Sequence, residues 1–364
     1  ILTCSSDFRY RLFVSIFSVV PTLVLYYWQF PFANPLLLWS QIIFSIILVA
    51  FGLPIFILLA SLAIFFFLSE PTDWATNYDL ISTISDSAYR IVVSPTLAAI
   101  PIFTLAGYIL AESNISDRLI KFFKSSLGWL PGSTVLIVVI LCAFFTALTG
   151  GSGVTILALG AILYPILVHD GYSKRFSLGI ITTAGSLGLL FPPSLPAIIY
   201  SVTAGINPLE LFRQALIPAI FLMSIMFFYG LYMLPKNKKI EKFNFKNAYN
   251  SAKIAKWEIA IPVLIILSLF SGFATLVESA ALLVLYVLTV ELYIFKDVSF
   301  KDLPKIIIDC STLVGGVLII LGFAMGFTGY LVDAQIPLKI LNFVQNTISS
   351  CLLYTSPSPR DSCA

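Results

Sequence analysis

The sequence predicts an all-α polytopic membrane protein, and three observations carry that prediction. Hydrophobic residues make up 59% of the 364 positions and charged residues only 11%, against about 25% charged in soluble domains. Mean hydropathy is +0.99. Apolar runs long enough to cross a bilayer recur along the chain, since a spanning helix needs about 20 residues. Several of these runs are broken by Gly, Ser and Pro. Lipid offers no hydrogen bonds to a broken backbone, so irregular chain at membrane depth must be buried in protein or line a cavity. Roughly ten to twelve membrane segments are expected, some of them re-entrant.

The first span covers residues 11–30 and is entered from Arg9 and Arg11. Residues 36–68 are too long for one simple span and carry Gly52-Leu53-Pro54, so a kinked helix or two shorter pieces are expected. Residues 70–90 read as a polar loop with Glu70, Asp73, Asp79 and Asp86, and 91–111 return to the membrane. Within 116–129, Leu119, Phe122, Phe123 and Leu127 recur at helical spacing against Asp117, Arg118, Lys121 and Lys124, which predicts an amphipathic helix at the interface. A span restarts after Pro131-Gly132, is interrupted at 149–153, and continues to Val168. Residues 177–190 are apolar, 195–204 form a short segment, and 209–234 a full span. The stretch 235–256 is a basic loop carrying seven lysines, which the positive-inside rule places in the cytoplasm. Residues 257–293 are again too long for one helix and break at 271–275, and 312–331 and 336–353 close the apolar part.

Three discontinuities combine glycine with hydroxyl residues: 149–153, 185–196 and 272–278. In the second, Pro192, Pro193 and Pro196 cannot donate backbone hydrogen bonds, so a regular helix cannot run through it. Unwound Gly/Ser stretches expose carbonyl and hydroxyl oxygens, the donors that hard cations such as sodium prefer. The same breaks create helix N-termini whose free N–H groups suit a carboxylate. A sodium-coupled carrier of an organic anion needs both. The plain alternative is that Gly and Ser only let helices pack closely, and the run Pro-Pro-Ser-Leu-Pro weighs against it. Glu278 lies three residues after Thr275, which fits both an intramembrane functional carboxylate and a capping box. Asp86, Arg90 and Asp333 read as surface or loop charges.

Other chemistries fit poorly. Gly150-Gly151-Ser152-Gly153 invites a membrane serine protease, but the lone histidine, His169, lies 17 positions on. That is about 25 Å along a helix, beyond the reach that a nucleophile's base requires. A single histidine makes a His-based metal cluster impossible. The five cysteines show no paired spacing, and Cys142 and Cys310 read as small buried residues. A nucleic-acid role for the lysine-rich loop does not suit its place between two spans.

Four ordered motifs between about residues 48 and 344 carry a resemblance. They are Ala99-Ile-Pro-Ile-Phe-Thr-Leu-Ala-Gly107, Phe145-Thr-Ala-Leu-Thr-Gly-Gly-Ser-Gly-Val-Thr155, Gly185-Ser-Leu-Gly-Leu-Leu-Phe-Pro-Pro-Ser194 followed by Tyr200, and Gly272-Phe-Ala-Thr-Leu-Val-Glu-Ser-Ala280. Together they resemble the large, DctM-like membrane subunit of the tripartite ATP-independent periplasmic (TRAP) transporters. The resemblance implies an inverted-repeat, elevator-type secondary transporter of the bacterial inner membrane and no enzyme activity. It implies sodium-coupled import of a carboxylate-bearing anion such as a C4-dicarboxylate, with no cofactor besides the coupling ion. Its partners would be a periplasmic substrate-binding protein and a small membrane subunit. By carry-over, Thr149, Ser152, Gly185, Gly188 and Pro192 would surround one sodium, with Gly150, Gly151, Pro193 and Ser194 beside it, and Thr275 and Glu278 in a second motif.

This chain departs from the family in places. Thr149 and Gly151 stand where many members have serines, and Leu276 replaces a proline. The second hairpin's Pro-Pro break has no counterpart after Pro337, so a C-terminally truncated permease is expected. The expected organisation is therefore an extra N-terminal helix over 1–35, from a fused small subunit, and a first half over 36–234. The basic loop at 235–256, an incomplete second repeat at 257–350 and a non-native or disordered tail at 351–364 complete it.

Overall fold

A computed structural model of the chain describes residues 54–68, 93–234, 244–272 and 274–347, with isolated positions between 43 and 90. The expected segments at 11–30 and 351–364 lie outside the described residues. Those that are described fold into helices connected by turns, as the composition requires. Six helical stretches among them are long and apolar enough to cross a membrane, and α1 (Ile55–Leu68) and α4 (Ser133–Thr149) are shorter apolar helices. The chain divides into two compact units, one of residues up to Ile91 with those from Gly316, the other Val92–Gly315.

In the first unit α1 comes after Gly52, whose φ of +94° turns the chain before the helix begins. Ala63 and Phe67 of α1 pack with Ile84 against Phe323, Phe327 and Tyr330 from the second half of α12 (Leu303–Asp333). Phe66 stacks on Tyr330 at 5.2 Å. Ile84 corrects the reading of 70–90 as a polar loop, because the described positions from 82 to 90 are helical. The acids there dominate the composition, while Ile84 turns inward and approaches Gly326, where a Cβ would lie 2.7 Å from its side chain.

The second unit is built around α4. All of its residues except Leu136, Ile140 and Phe144 are buried, so the helix is apolar on every side, as a helix enclosed by others must be. Around it stand α2 (Ala99–Glu112), α3 (Ile115–Leu127), α5 (Ser152–His169), α6 (Lys174–Leu187) and α8 (Pro208–Tyr232). Cys142 of α4 and Cys310 of α12 are both buried and free. The amphipathic pattern of 116–129 becomes α3, which buries Ile115, Leu119 and Ile120 and leaves Lys121 and Lys124 outside. The short segment 195–204 becomes α7 (Leu195–Ala204).

The basic loop is not all loop. Asn244 accepts hydrogen bonds from the N–H groups of Lys246 and Asn247 and starts α9 (Phe245–Ile254), which packs on α3. The lysines obscured this helix, and the cap residue was its only local signal. After one intervening residue α10 (Lys256–Phe270) begins. It turns back through 271–275 into α11 (Leu276–Thr289), whose end tightens into a π-helical turn, Val290–Ile294. Tyr286 donates to the Trp257 carbonyl at 2.9 Å, so the two helices run antiparallel.

An ionic knot ties this hairpin to α3. Arg118 donates from Nε to Glu258 and from Nη1 to Asp297 at 2.6 Å, and its Nη2 lies 3.6 Å from Glu291. Its guanidinium also stacks over Phe295, 3.9 Å from the ring centre. Glu258 and Glu291 are fully buried. Burial alone would raise the Asp297 carboxyl, but hydrogen bonds from Arg118 and Asn114 outweigh it and hold the group below its ordinary value. One guanidinium thus serves three carboxylates from α10, the π-turn and the loop after it. Removing a single partner of a buried ion pair leaves an uncompensated charge, at a cost of about 3–5 kcal/mol. Arg118→Leu should therefore lower thermal stability far more than the joint replacement of Arg118, Glu258 and Glu291 by Met, which removes both fully buried carboxylates together with their partner, as differential scanning fluorimetry of the purified protein would measure.

Candidate functional site

The first two polar breaks meet. α4 ends at Gly150, whose φ of +68° is open to glycine at little cost, and the chain reverses at Gly151 into α5. The foot of this hairpin is closed by a hydrogen bond from Thr134 to Asp170. Its tip is closed by the fully buried Thr149, whose Oγ1 lies 3.1 Å from Oγ1 of Thr155, each also 3.5 Å from the Gly151 carbonyl.

The broken crossing lies against this tip. α6 runs into a 3-10 turn, Gly188–Leu190, and then the cis Pro192-Pro193 bond. Ser194, fully buried, caps α7 by accepting from the Ala197 N–H at 3.3 Å. Close approach between hairpin and crossing depends on missing side chains. A Cβ on Gly188 would lie 2.4 Å from Thr146 Cβ and 2.6 Å from the Ala143 carbonyl oxygen. One on Gly185 would lie 2.6 Å from Ile156, one on Gly150 2.8 Å from Leu195 Cβ, and one on Gly107 of α2 2.7 Å from the backbone of Leu148 and Thr149. The tip thus meets the start of α7, and α7 extends about 15 Å beyond that point. The hairpin therefore ends beside the break, partway along the crossing.

Of the residues expected to form a site, Thr149, Gly150, Gly151, Ser152, Gly185, Gly188 and Ser194 gather at this junction. Pro192 and Pro193 border the same junction and also face an apolar cavity of about 640 Å³, walled by Ile140, Phe144 and Leu148 and bearing Arg213 and Glu258 as its charged residues. Thr275 and Glu278 pair with each other. Thr275 Oγ1 receives the Glu278 N–H at 3.3 Å, and the Glu278 carboxylate accepts from the Thr275 N–H at 2.7 Å, a complete capping box on exposed residues. Ser152 and His169 sit at opposite ends of α5, and His169 is 88% exposed beside Asp170.

Sequence reasoning missed Thr155 and Thr146, whose Oγ1 is buried without a hydrogen-bond partner among the described residues. Thr146, one turn before Thr149 on the same helix, and Thr155, at the same hairpin tip just past the glycine break, were the available signal. It also missed Glu258 and Glu291, which bracket the apolar run 257–293 and were passed over for Glu278.

The junction offers neutral oxygens from hydroxyls and carbonyls in a dry setting, held where a hairpin tip abuts a broken crossing. Discontinuous helices of this kind recur at the binding sites of secondary membrane carriers. Residues 42–355 match the DctM component of the tripartite ATP-independent periplasmic transporters, and the chain belongs to that family. It is 30% identical over 68% of its length to the C4-dicarboxylate TRAP transporter large permease protein DctM of Pseudomonas aeruginosa, covering 59% of that protein. It is 28% identical over 68% of its length to the ectoine TRAP transporter large permease protein TeaC of Halomonas elongata, again covering 59%. To the isethionate TRAP transporter permease protein DctMQ of Oleidesulfovibrio alaskensis it is 27% identical over 71% of its length, covering 41%. The chain thus spans about three fifths of the first of these relatives. It is a multi-pass inner-membrane protein of a transport family and not an enzyme.

The glycine contacts set a graded expectation. Gly107→Ala and Gly188→Ala push a methyl group into backbone and should each destabilise by about 1–3 kcal/mol. Gly179→Ala, inside α6 with open space around it, should be neutral or gain up to about 1 kcal/mol of helix propensity. Thermal unfolding of the three variants side by side measures the difference.

Proposed function

We propose that this chain supplies the first-half cation site of a permease importing a small organic anion together with sodium across the inner membrane. The supporting observation is the buried cluster of Thr149, Thr155 and the Gly151 carbonyl, clasped by the break that Ser194 caps. Neutral oxygen donors suit a hard monovalent cation. In the proposed cycle Thr149 and Ser152 supply hydroxyls, and the chain at Gly185, Gly188 and Pro192 supplies carbonyls. The positive end of the α7 dipole favours the anion's carboxylate nearby. A carboxylate-bearing substrate such as a C4-dicarboxylate agrees with the substrate for which one relative is named, while others are named for isethionate and ectoine.

The proposed assembly pairs the permease with a small membrane subunit and a periplasmic binding protein that delivers the anion. Movement of the hairpin and crossing as one body past a scaffold gives the elevator-type mechanism. The family assignment favours this assembly over a symporter that works without a periplasmic partner.

Uptake measured in proteoliposomes across a sodium gradient tests the site, using the permease together with its partners. Thr149→Val should raise the sodium concentration for half-maximal uptake about tenfold, the equivalent of one hydrogen-bond-sized contact of ~1.4 kcal/mol. Thr149→Ser should retain wild-type behaviour. Uptake that does not depend on sodium would overturn the coupling.

Glu278 is separable from this site. As a capping residue, Glu278→Gln should leave the sodium dependence unchanged, and Thr275→Ala should cost about 1 kcal/mol of stability. A shifted sodium dependence in Glu278→Gln would instead give the carboxylate a role in transport.

A further inference from the structure

The helix α9 has a role that the cation site does not use. Its N-terminus adjoins the lysine-rich stretch, and only Ala255 separates its end from α10, which carries Trp257 and then an apolar sequence into the membrane. A helix joined so tightly to a membrane-entering helix lies within about one helix diameter, ~10 Å, of the bilayer surface. Phe245 and Tyr249, four residues apart and so on one face, are 74% and 62% exposed. Lys246 and Lys253, seven apart, form a parallel exposed stripe next to them. The partner helix α3 adds exposed Lys121 and Lys124, and Lys256 stands at the head of α10. Residues 235–256 contain seven lysines against the single acid Glu241.

We infer that α9 and α3 together form a binding surface for the anionic headgroups of the cytoplasmic leaflet. The aromatic stripe enters the headgroup layer and the lysines meet lipid phosphates. Aromatic side chains favour that depth because one end is apolar and the other wet. A basic amphipathic helix gains both apolar burial and attraction to anionic lipid. Arg118 then has a second consequence. Because it ties α3 to the α10–α11 hairpin, lipid held by α9 and α3 steadies the foot of that hairpin.

The test titrates phosphatidylglycerol, and separately phosphatidylcholine, into the detergent-purified chain and monitors thermal unfolding. Phosphatidylglycerol should stabilise the protein at much lower concentration than phosphatidylcholine, and the difference should shrink in high salt. Lys246→Glu with Lys253→Glu, at exposed positions that leave the fold intact, should move the phosphatidylglycerol midpoint about 30-fold higher, from roughly a tenfold or smaller factor per lysine. Lys246→Arg with Lys253→Arg should keep it. Phe245→Ser with Tyr249→Ser should weaken stabilisation by both lipids. Equal stabilisation by the two lipids, or an unshifted midpoint in the double-glutamate variant, would overturn the inference. So would a change of oligomeric state in that variant at constant lipid, which would mark the surface as a contact between copies.

Discussion

Backbone held against backbone without intervening side chains is the constraint on which the second unit depends. Gly107 brings α2 onto the end of α4, and Gly188 brings the broken crossing onto the same helix from another side. In a lipid environment there is little hydrophobic drive between helices, so packing at this distance supplies association that water would otherwise provide. Both contacts fall within a few residues of Thr149. The buried oxygens are therefore a by-product of close packing as well as a chemical feature, and the small residues at the breaks serve both ends at once.

The ionic knot solves a different problem. α3 is amphipathic and lies where the apolar core ends, so burial holds it on one face only. Arg118 gives it a directional anchor in which three carboxylates and the Phe295 ring fix the guanidinium's position. The π-turn at Val290–Ile294 is the local device that helps make this possible. An extra residue in a turn rotates every later residue of the helix about its axis, and Glu291 lies within that turn, facing Arg118.

Much of this was legible in the sequence because it is local. The Gly/Ser/Pro breaks, the amphipathic period of α3 and the limits of α7 are all set by neighbours within a turn or two. The capping box at Thr275 and Glu278 was readable for the same reason, as a spacing of three. The features that escaped are long-range or masked by composition. Arg118 finds Glu258 and Asp297 at separations of 140 and 179 residues, and no local pattern pairs them. Lysines hid α9, and acids hid the helical positions around Ile84. The meeting of tip and break was legible as two similar motifs, but their contact through Gly150 and Leu195 required the fold.

The hairpin α4–α5 is latched at both ends by its own residues, Thr134 to Asp170 at the foot and Thr149 to Thr155 at the tip. Its two helices are therefore held to each other by their own side chains. The hairpin meets the crossing along a seam of Gly150 against Leu195 and Gly185 against Ile156. That seam is greasy and carries no ion pair in these contacts. The strength of apolar contact of this kind responds to temperature and pressure while staying nearly indifferent to ionic strength.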